Sequence, residues 1–419
     1  VGFGVVQVEY GRTMTAARDR AEELDRTDPL RAQLDRFVPP ADDSVRAYLD
    51  GNSLGRPAAD LLEVMRTFIT DSWGTRLIRG WDEEWMDWPL AVGDELAATA
   101  LGAAPAQTII ADSTSVMIYK LARAALSLRS PERDEIVIDI DNFPTDRYLI
   151  EGIASELGLR LVWIETDPAS GVTPELVAGA VGERTALFLA SHIAYRSGFI
   201  AEADRITRIV HAAGAPVLWD LCHSVGAIPI ALDDWEVDFA VGCGYKFLNG
   251  GPGAPAFGYV AARHQDRARQ PLQGWMGHAR PFEMGPGYQP HPGIRGFLTG
   301  TPPILSMVPL RHAIAMINEV GLAAIRTKSL ALTDFAIELI DDKLAPLGVR
   351  LGSPRDHQHR GGHVTVHADG FAEVKDELWK RGVLPDFRRP DGIRLGVSPL
   401  STRFAEVALA IEEIRDILS

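Results

Sequence analysis

From Thr108 to about Val260 the chain alternates short apolar runs with longer stretches in which apolar residues recur at helical spacing. That alternation predicts a mostly parallel sheet covered by helices. The runs that read as strands are Thr108 to Ala111, Glu135 to Asp139, Arg160 to Trp163, Thr185 to Ala190, Pro216 to Asp220, Phe239 to Gly242 and Phe257 to Val260. Helical segments lie between them, among them Ser115 to Ser127, Thr145 to Glu156 and Glu202 to Ala213. The pattern then changes. Gly250 to Pro255 and Gln270 to Pro303 are rich in Gly, Pro and aromatics without a clear period, which predicts long ordered loops. Beyond them come a long helical stretch, Ile304 to Lys343, short strands near Val349, His363 to Val366 and Gly392 to Leu395, and helices Phe371 to Arg381 and Phe404 to Leu418. The expected class is α/β, with a large domain over 61–305 and a small α+β C-terminal domain over 306–419. Residues 1–60 read as an N-terminal extension and site-lining segment, of which 1–13, ahead of Met14, are expected to lie outside the fold.

Length and composition narrow the function. A chain of 419 residues with 46% hydrophobic and 24% charged residues is globular and large enough to need no staples. The formal charge of −15 repels phosphate backbones and anionic membranes, so nucleic acid and membrane are not expected partners. Cys222 and Cys243 are the two cysteines, too few for a disulfide framework and suited to a reducing compartment, read as cytoplasm. No run reaches the ~18 apolar residues of a membrane span, and Val1 to Gly11 lacks the pattern of a secretory signal.

In an open parallel sheet, ligands bind beyond the carboxyl ends of the strands, and here those ends are polar. Lys246, in Gly242-Cys243-Gly244-Tyr245-Lys246-Phe247-Leu248-Asn249-Gly250-Gly251-Pro252-Gly253, follows a strand directly and is placed to form a Schiff base. Asp220 ends the strand before it and leads into Leu221-Cys222-His223-Ser224, an acid placed to face a pyridinium nitrogen. Asp112-Ser113-Thr114-Ser115 is a hydroxyl-rich turn into a helix, either an ordinary N-cap or a phosphate site. Phe143, in Asn142-Phe143-Pro144-Thr145-Asp146, is either core or a stacking surface for a flat ring. An amine, an acid, a ring and phosphate donors at successive strand ends suit pyridoxal 5'-phosphate, and no GxGxxG or P-loop pattern opens a helix.

These stretches, with Tyr48-Leu49-Asp50-Gly51-Asn52-Ser53-Leu54-Gly55, Gly274-Trp275-Met276-Gly277-His278 and Gly300-Thr301-Pro302-Pro303-Ile304, resemble the kynureninase family from about Leu30 onward. The resemblance implies a pyridoxal-phosphate enzyme of fold type I, like aspartate aminotransferase, that hydrolyses the Cβ–Cγ bond of L-kynurenine or 3-hydroxy-L-kynurenine. The products would be L-alanine and anthranilate or 3-hydroxyanthranilate. It implies that Lys246 is the Schiff-base lysine and that Tyr245 contacts the phosphate and moves a proton. It further implies that Thr114, Ser115, Phe143, Asp146, Ser191, Asp220 and His223 contact the cofactor. Trp275 and Thr301 would reach the cofactor from a second subunit, so a homodimer with shared active sites is implied. Arg394 would fork onto the substrate carboxylate, Asn52 and Ser53 would line the site, and Trp81 would face the aryl ring.

Met117 and Ala194 stand where the family commonly has Asn. The two changes either compensate each other or alter the pocket, for instance toward a ring-substituted kynurenine of secondary metabolism. The alternatives are a cysteine desulfurase or other β-lyase, which needs a loop cysteine that is missing after Cys243, and a catalytically silent homologue that binds a ligand. His357, His359, His363 and His367 read as loop and strand residues rather than a metal site, and His278 and His291 as polar loop residues. Trp73, Trp85 and Trp88 read as core. The resemblance implies a product that feeds tryptophan breakdown, nicotinamide synthesis or a secondary pathway.

Overall fold

The computed structural model describes residues 17–42 and 44–419, so the expectation for residues 1–13 falls outside the described residues. The strands are β1 (Ala47–Leu49), β2 (Thr108–Ala111), β3 (Glu135–Asp139), β4 (Arg160–Ile164), β5 (Thr185–Ser191), β6 (Val217–Asp220), β7 (Phe239–Cys243) and β8 (Ala256–Val260), then β9 (Arg350–Leu351), β10 (His363–His367), β11 (Val383–Arg388) and β12 (Gly392–Gly396). Seven of them form one sheet in the order β2-β8-β7-β6-β5-β3-β4. Within it β8 runs antiparallel to β2 and β7, and the remaining pairs are parallel.

The near-continuous apolar runs follow from burial on both faces, since successive side chains of a strand point to opposite sides. Val137, Phe188, Ala190, Trp219 and Ala240 enter one core. Their neighbours Ile136, Ile138, Leu187, Leu189, Leu218 and Val241 enter the other. The chain runs from β3 outward to β4 and returns through β5 on the far side of β3. That reversal opens a crevice beyond the carboxyl ends of β3 and β5, where a ligand fits without displacing a connection.

The second sheet has the order β1-β11-β12-β10-β9. Its core includes Phe335, Ile340, Val366, Phe371, Leu395, Phe404 and Ile411. β1 enters this sheet parallel to β11, so the chain before residue 50 is tied to the C-terminal part by a ladder. The helix of residues 17–27 adds Ala17 and Ala21 to the same core. β11 has no clear two-residue alternation, and its pairing with β1 and β12 supplies what its pattern lacks.

The single helical stretch expected over Ile304 to Lys343 is two helices, Ile304–Val320 and Leu322–Lys343, meeting at 84°. Gly321 makes the corner at φ 82° and ψ 137°, a left-handed backbone that glycine adopts without a steric penalty. The apolar period continues across the corner because both helices bury a face, so periodicity alone conceals the break. Among the described residues no single helix is long and apolar enough to cross a membrane.

One close approach fixes the edge of the large sheet. The helix Trp88–Leu96 crosses β2 at Gly93, where an added Cβ would stand 2.3 Å from the carbonyl oxygen of Thr108. Backbone cannot yield as a flexible side chain does. Gly93→Ala is therefore expected to lower stability by about 1–3 kcal/mol, despite the better helix propensity of alanine. A urea midpoint equal to that of the parent protein would show that the helix shifts freely.

Candidate functional site

The candidate residues gather where the parallel strands end. Asp220 closes β6, and its Oδ1 accepts from the Cys222 amide at 2.7 Å. Two residues beyond β7 stands Tyr245, followed by Lys246, whose Nζ lies 3.4 Å from His223 Nε2. The same Nζ is 5.9 Å from the ring centroids of Phe143 and of Tyr245. Burial pushes the Tyr245 phenol far above its ordinary value, with Cys243 adding to the effect, so it holds its proton. Burial and the charges of Lys246 and Arg394 push the His223 imidazole well below its usual range, so it is neutral.

Beyond β3, Asn142 Oδ1 accepts from Ser191 Oγ at 2.8 Å and from the Phe143 amide at 2.7 Å, joining the two strand ends across the crevice. Phe143 is braced edge-on by Tyr195, with centroids 5.4 Å apart. Asp146, in the first turn of the helix Pro144–Leu157, is 1% exposed. Burial beside Asp220 and Asp139 holds its carboxyl well above the normal carboxylate range. Asp139 is pushed up to about 7 by burial and by Asp141. Sequence patterning did not single out Asp139 or Asn142, although Asp139 ends β3 and Asn142 falls in the polar stretch after it.

Thr114 and Ser115 open the helix Thr114–Leu126 directly after β2. Ser113 caps it, accepting from the Val116 amide at 3.5 Å. Asp112 turns the chain at φ 55° and is held by a 2.8 Å ion pair to the fully buried Lys120. The turn is thus fixed with its amides at the sheet edge.

Arg394, on β12, is 0% exposed. Its guanidinium donates to the Tyr195 carbonyl, to Ser53 Oγ at 3.2 Å and to Asp386 on the neighbouring strand. Asn52, with its carbonyl turned toward Arg394, accepts from Nη2 at 3.2 Å and donates to Asp50 Oδ1 at 3.2 Å. His363 stands beside this group, 6.1 Å from the His223 ring, and burial pushes it down to about 3, with Arg394 adding to the shift. Asp386 and His363 belong to this cluster. Asp386 could have been read from Asp386-Phe387-Arg388 had the strand been recognised.

Trp81, Trp275 and Thr301 form a second group around a cavity of about 450 Å³, with Ile78, Met86 and Phe282. Trp275 remains 41% exposed, and Trp81 meets Trp85 edge-on at 5.4 Å. Within one chain this cavity is not lined by Lys246, Asp220 or Arg394. Of the other tryptophans, Trp85 and Trp88 are core and Trp73 is 49% exposed, so the core expectation fails at Trp73.

The set matches known proteins at length. Residues 325–414 match the family described as "Kynureninase C-terminal domain". A protein of Burkholderia pseudomallei named Kynureninase is 41% identical over 410 residues, 96% of this chain and 95% of that protein. One of Pseudomonas fluorescens with the same name is 40% identical over 379 residues, covering 88% and 89%. The chain belongs to the kynureninase family. Among solved structures, the cysteine desulfurase of Thermococcus onnurineus NA1 superposes with a TM-score of 0.77 at 19% identity, over 95% of this chain and 98% of that one. A cystine C-S lyase solved with cysteine persulfide gives 0.76 at 18% identity, over 90% and 98%. At such identities the likeness is one of fold, and the fold is that of the fold type I enzymes.

In this kynureninase-family chain the donor set fits pyridoxal 5'-phosphate. Asp146 Oδ2 and Asn142 Nδ2 are buried without a hydrogen-bond partner, and a polar ring above Phe143 would answer such atoms. Both cysteines are buried, at the ends of β6 and β7, where neither is a mobile-loop nucleophile. Met117 is fully buried against β8, where a Cβ on Gly258 would stand 2.5 Å from its sulfur. Ala194 instead lines the narrow cleft of Asp139, Asn142 and Ser191. The two substitutions therefore sit in different surroundings, which leaves the idea of one compensated hydrogen bond without support.

Among the described residues no group of His, Cys, Asp and Glu is arranged to hold a metal. His357 pairs with Asp334, His359 with Asp356 and His367 with Asp391. His278 accepts from the Arg280 amide and His291 contacts the Pro292 carbonyl.

Asp139 gives a pH-dependent signature. Between its ordinary value of 3.8 and about 7 the folded chain keeps a proton that the unfolded chain has released. This residue therefore makes stability fall as pH rises through that window, with no further change above it. Asp139→Asn is expected to gain on the parent protein, by a few kcal/mol at most, between about pH 4 and about pH 7. Equal differences in urea midpoint at both pH values would refute the assignment.

Proposed function

We propose that this protein is a pyridoxal-phosphate-dependent hydrolase that cleaves L-kynurenine or its 3-hydroxy form to L-alanine and the matching anthranilate. The observation that carries this reading is Lys246 beside Phe143 and His223 at the strand ends, with the buried Arg394 guanidinium close enough to act on the same imidazole, in a chain 41% identical to a protein named Kynureninase. When bound, the cofactor supplies an electron sink that stabilises negative charge developing on the substrate carbons. Asp220 would face the ring nitrogen, Phe143 would support a ring face, and Thr114, Ser115 and the first amides of their helix would hold the phosphate. Asp146 and Ser191 would complete the ring-side cradle, with His223 beside it.

Arg394 grips the substrate α-carboxylate through its planar fork. Asn52 and Ser53 fix that fork, and Asp386 balances its charge. Lys246 takes the proton from the substrate α-carbon. Water then adds its oxygen to the γ-carbonyl, the Cβ–Cγ bond breaks to leave the aryl carboxylate, Tyr245 gives a proton to Cβ and is refilled by the proton that water releases, and Lys246 returns its proton to the α-carbon to complete L-alanine. The raised pKa of Tyr245 keeps the phenol protonated until negative charge develops at Cβ.

Trp275 and Thr301 fit as residues that reach the cofactor of a second copy, and Trp81 as the aryl-side wall, in a site shared between two copies. They line an exposed apolar cavity away from their own Lys246, as expected where a partner covers it. We place the enzyme in the cytoplasm, on its two buried free thiols.

The direct test incubates the cofactor-loaded protein with each substrate and follows alanine release, with Lys246→Ala as the control that should lose all turnover. Cofactor binding without alanine release from either substrate would overturn the reading and favour a ring-substituted substrate or a silent binder. Arg394→Ala is expected to raise KM at least tenfold while the visible cofactor spectrum persists, because a charged hydrogen-bonded contact contributes about 1.5–3 kcal/mol. An unchanged KM would remove Arg394 from the substrate. For the shared site, refolding Lys246→Ala with Trp275→Ala should restore up to about a quarter of parental activity, because half the dimers regain one intact site. No recovery on mixing would count against it.

A further inference from the structure

The opposite edge of the large sheet carries a second concentration of charge that the catalytic reading does not use. The residues just before β3, β6 and β7, with the start of β5, border a cavity of about 480 Å³, within the size range of small-molecule sites. Four arginines line it, Arg129, Arg133, Arg263 and Arg267, with the imidazoles of His211 and His264. Asp238 is the one acid among the lining residues, and its carboxylate is already consumed. Its oxygens meet His211 Nε2 at 2.7 Å, His264 Nε2 at 2.6 Å, Arg263 at 2.8 Å and the Val217 amide at 2.8 Å.

Arg133 is spent in a different way, donating to the carbonyls of Thr185 at 2.7 Å and Ala213 at 3.0 Å, which fixes its position without neutralising it. Among the described residues Arg129 and Arg267 enter no ion pair, and Arg129 Nε is buried without a partner. His264 Nδ1 is a second buried nitrogen left unpaired in the same wall. The cavity thus holds an excess of three guanidinium charges in a chain whose net charge is −15. Like charges gathered in one concavity repel strongly unless an anion joins them, and guanidinium forks match phosphate oxygens in pairs.

We propose that this cavity is a binding site for a multiply charged phosphate-bearing anion, separate from the catalytic crevice. The parallel strands between the two edges are four to seven residues long, which at about 3.3 Å per residue separates the sites by roughly 15–20 Å. A ligand there cannot touch the reacting atoms.

The test titrates inorganic pyrophosphate into the cofactor-loaded enzyme by calorimetry, so that the phosphate cradle at Thr114 and Ser115 is already filled. One saturable site per chain is expected. The double variant Arg129→Ala/Arg267→Ala should bind at least tenfold more weakly, while Arg350→Ala, exposed on β9 of the second sheet, should bind as the parent does. Turnover and melting temperature without pyrophosphate should be unchanged in the double variant. Should Arg129→Ala disturb folding, Arg267→Glu alone, at an exposed position, should still weaken binding. Absence of a saturable heat, or equal binding by parent and arginine variants, would overturn the proposal.

Discussion

A guanidinium without solvent needs polar neighbours, and Arg394 is met from three parts of the chain while its Nε is left without a partner. Tyr195 contributes a carbonyl from beyond β5, Ser53 and Asn52 come from the segment after β1, and Asp386 comes from β11. Removing one member of a buried charged group costs about 3–5 kcal/mol, so the arrangement is all or none. It ties the large sheet, the small sheet and the N-terminal segment together at the mouth of the crevice. β1 reinforces the tie by joining the small sheet, and Gly55 donates its amide to the Tyr245 carbonyl at 2.9 Å, beside Lys246.

The electrostatics of the crevice follow from the same burial. Asp139 and Asp146 are held toward their neutral forms, and His223 and His363 toward theirs. A site with few fixed charges and many neutral polar groups suits a flat ring that carries its own charges at defined atoms, since each fixed charge then has one counterpart.

The large domain presents the two ends of its parallel strands to different tasks. At the carboxyl ends the chain turns into helices whose first amides face the crevice, and chemistry collects there. At the opposite edge Asp238 gathers His211, His264, Arg263 and the Val217 amide into one knot that anchors the starts of β6 and β7. The apolar cavity of Trp81 and Trp275 is a third surface, exposed within one chain.

The sequence by itself determined the large sheet nearly strand for strand, because runs buried on both faces are apolar throughout and are closed by polar residues at each end. It also placed Lys246, Asp220, Phe143 and the Thr114 turn at or within a few residues of strand ends, because polar residues there interrupt the apolar runs. The corner at Gly321 was hidden in an unbroken apolar period, and β1 and β11 were hidden because short strands draw their stability from partners distant in sequence. Only the tertiary structure decided which charges meet. Asp386 and Arg394 become neighbours through an antiparallel register, and Asn52 reaches them from more than three hundred residues away. Trp81 and Trp275 part from Lys246 for the same reason, because proximity across elements is set by packing of the whole chain and leaves no local trace in any one segment.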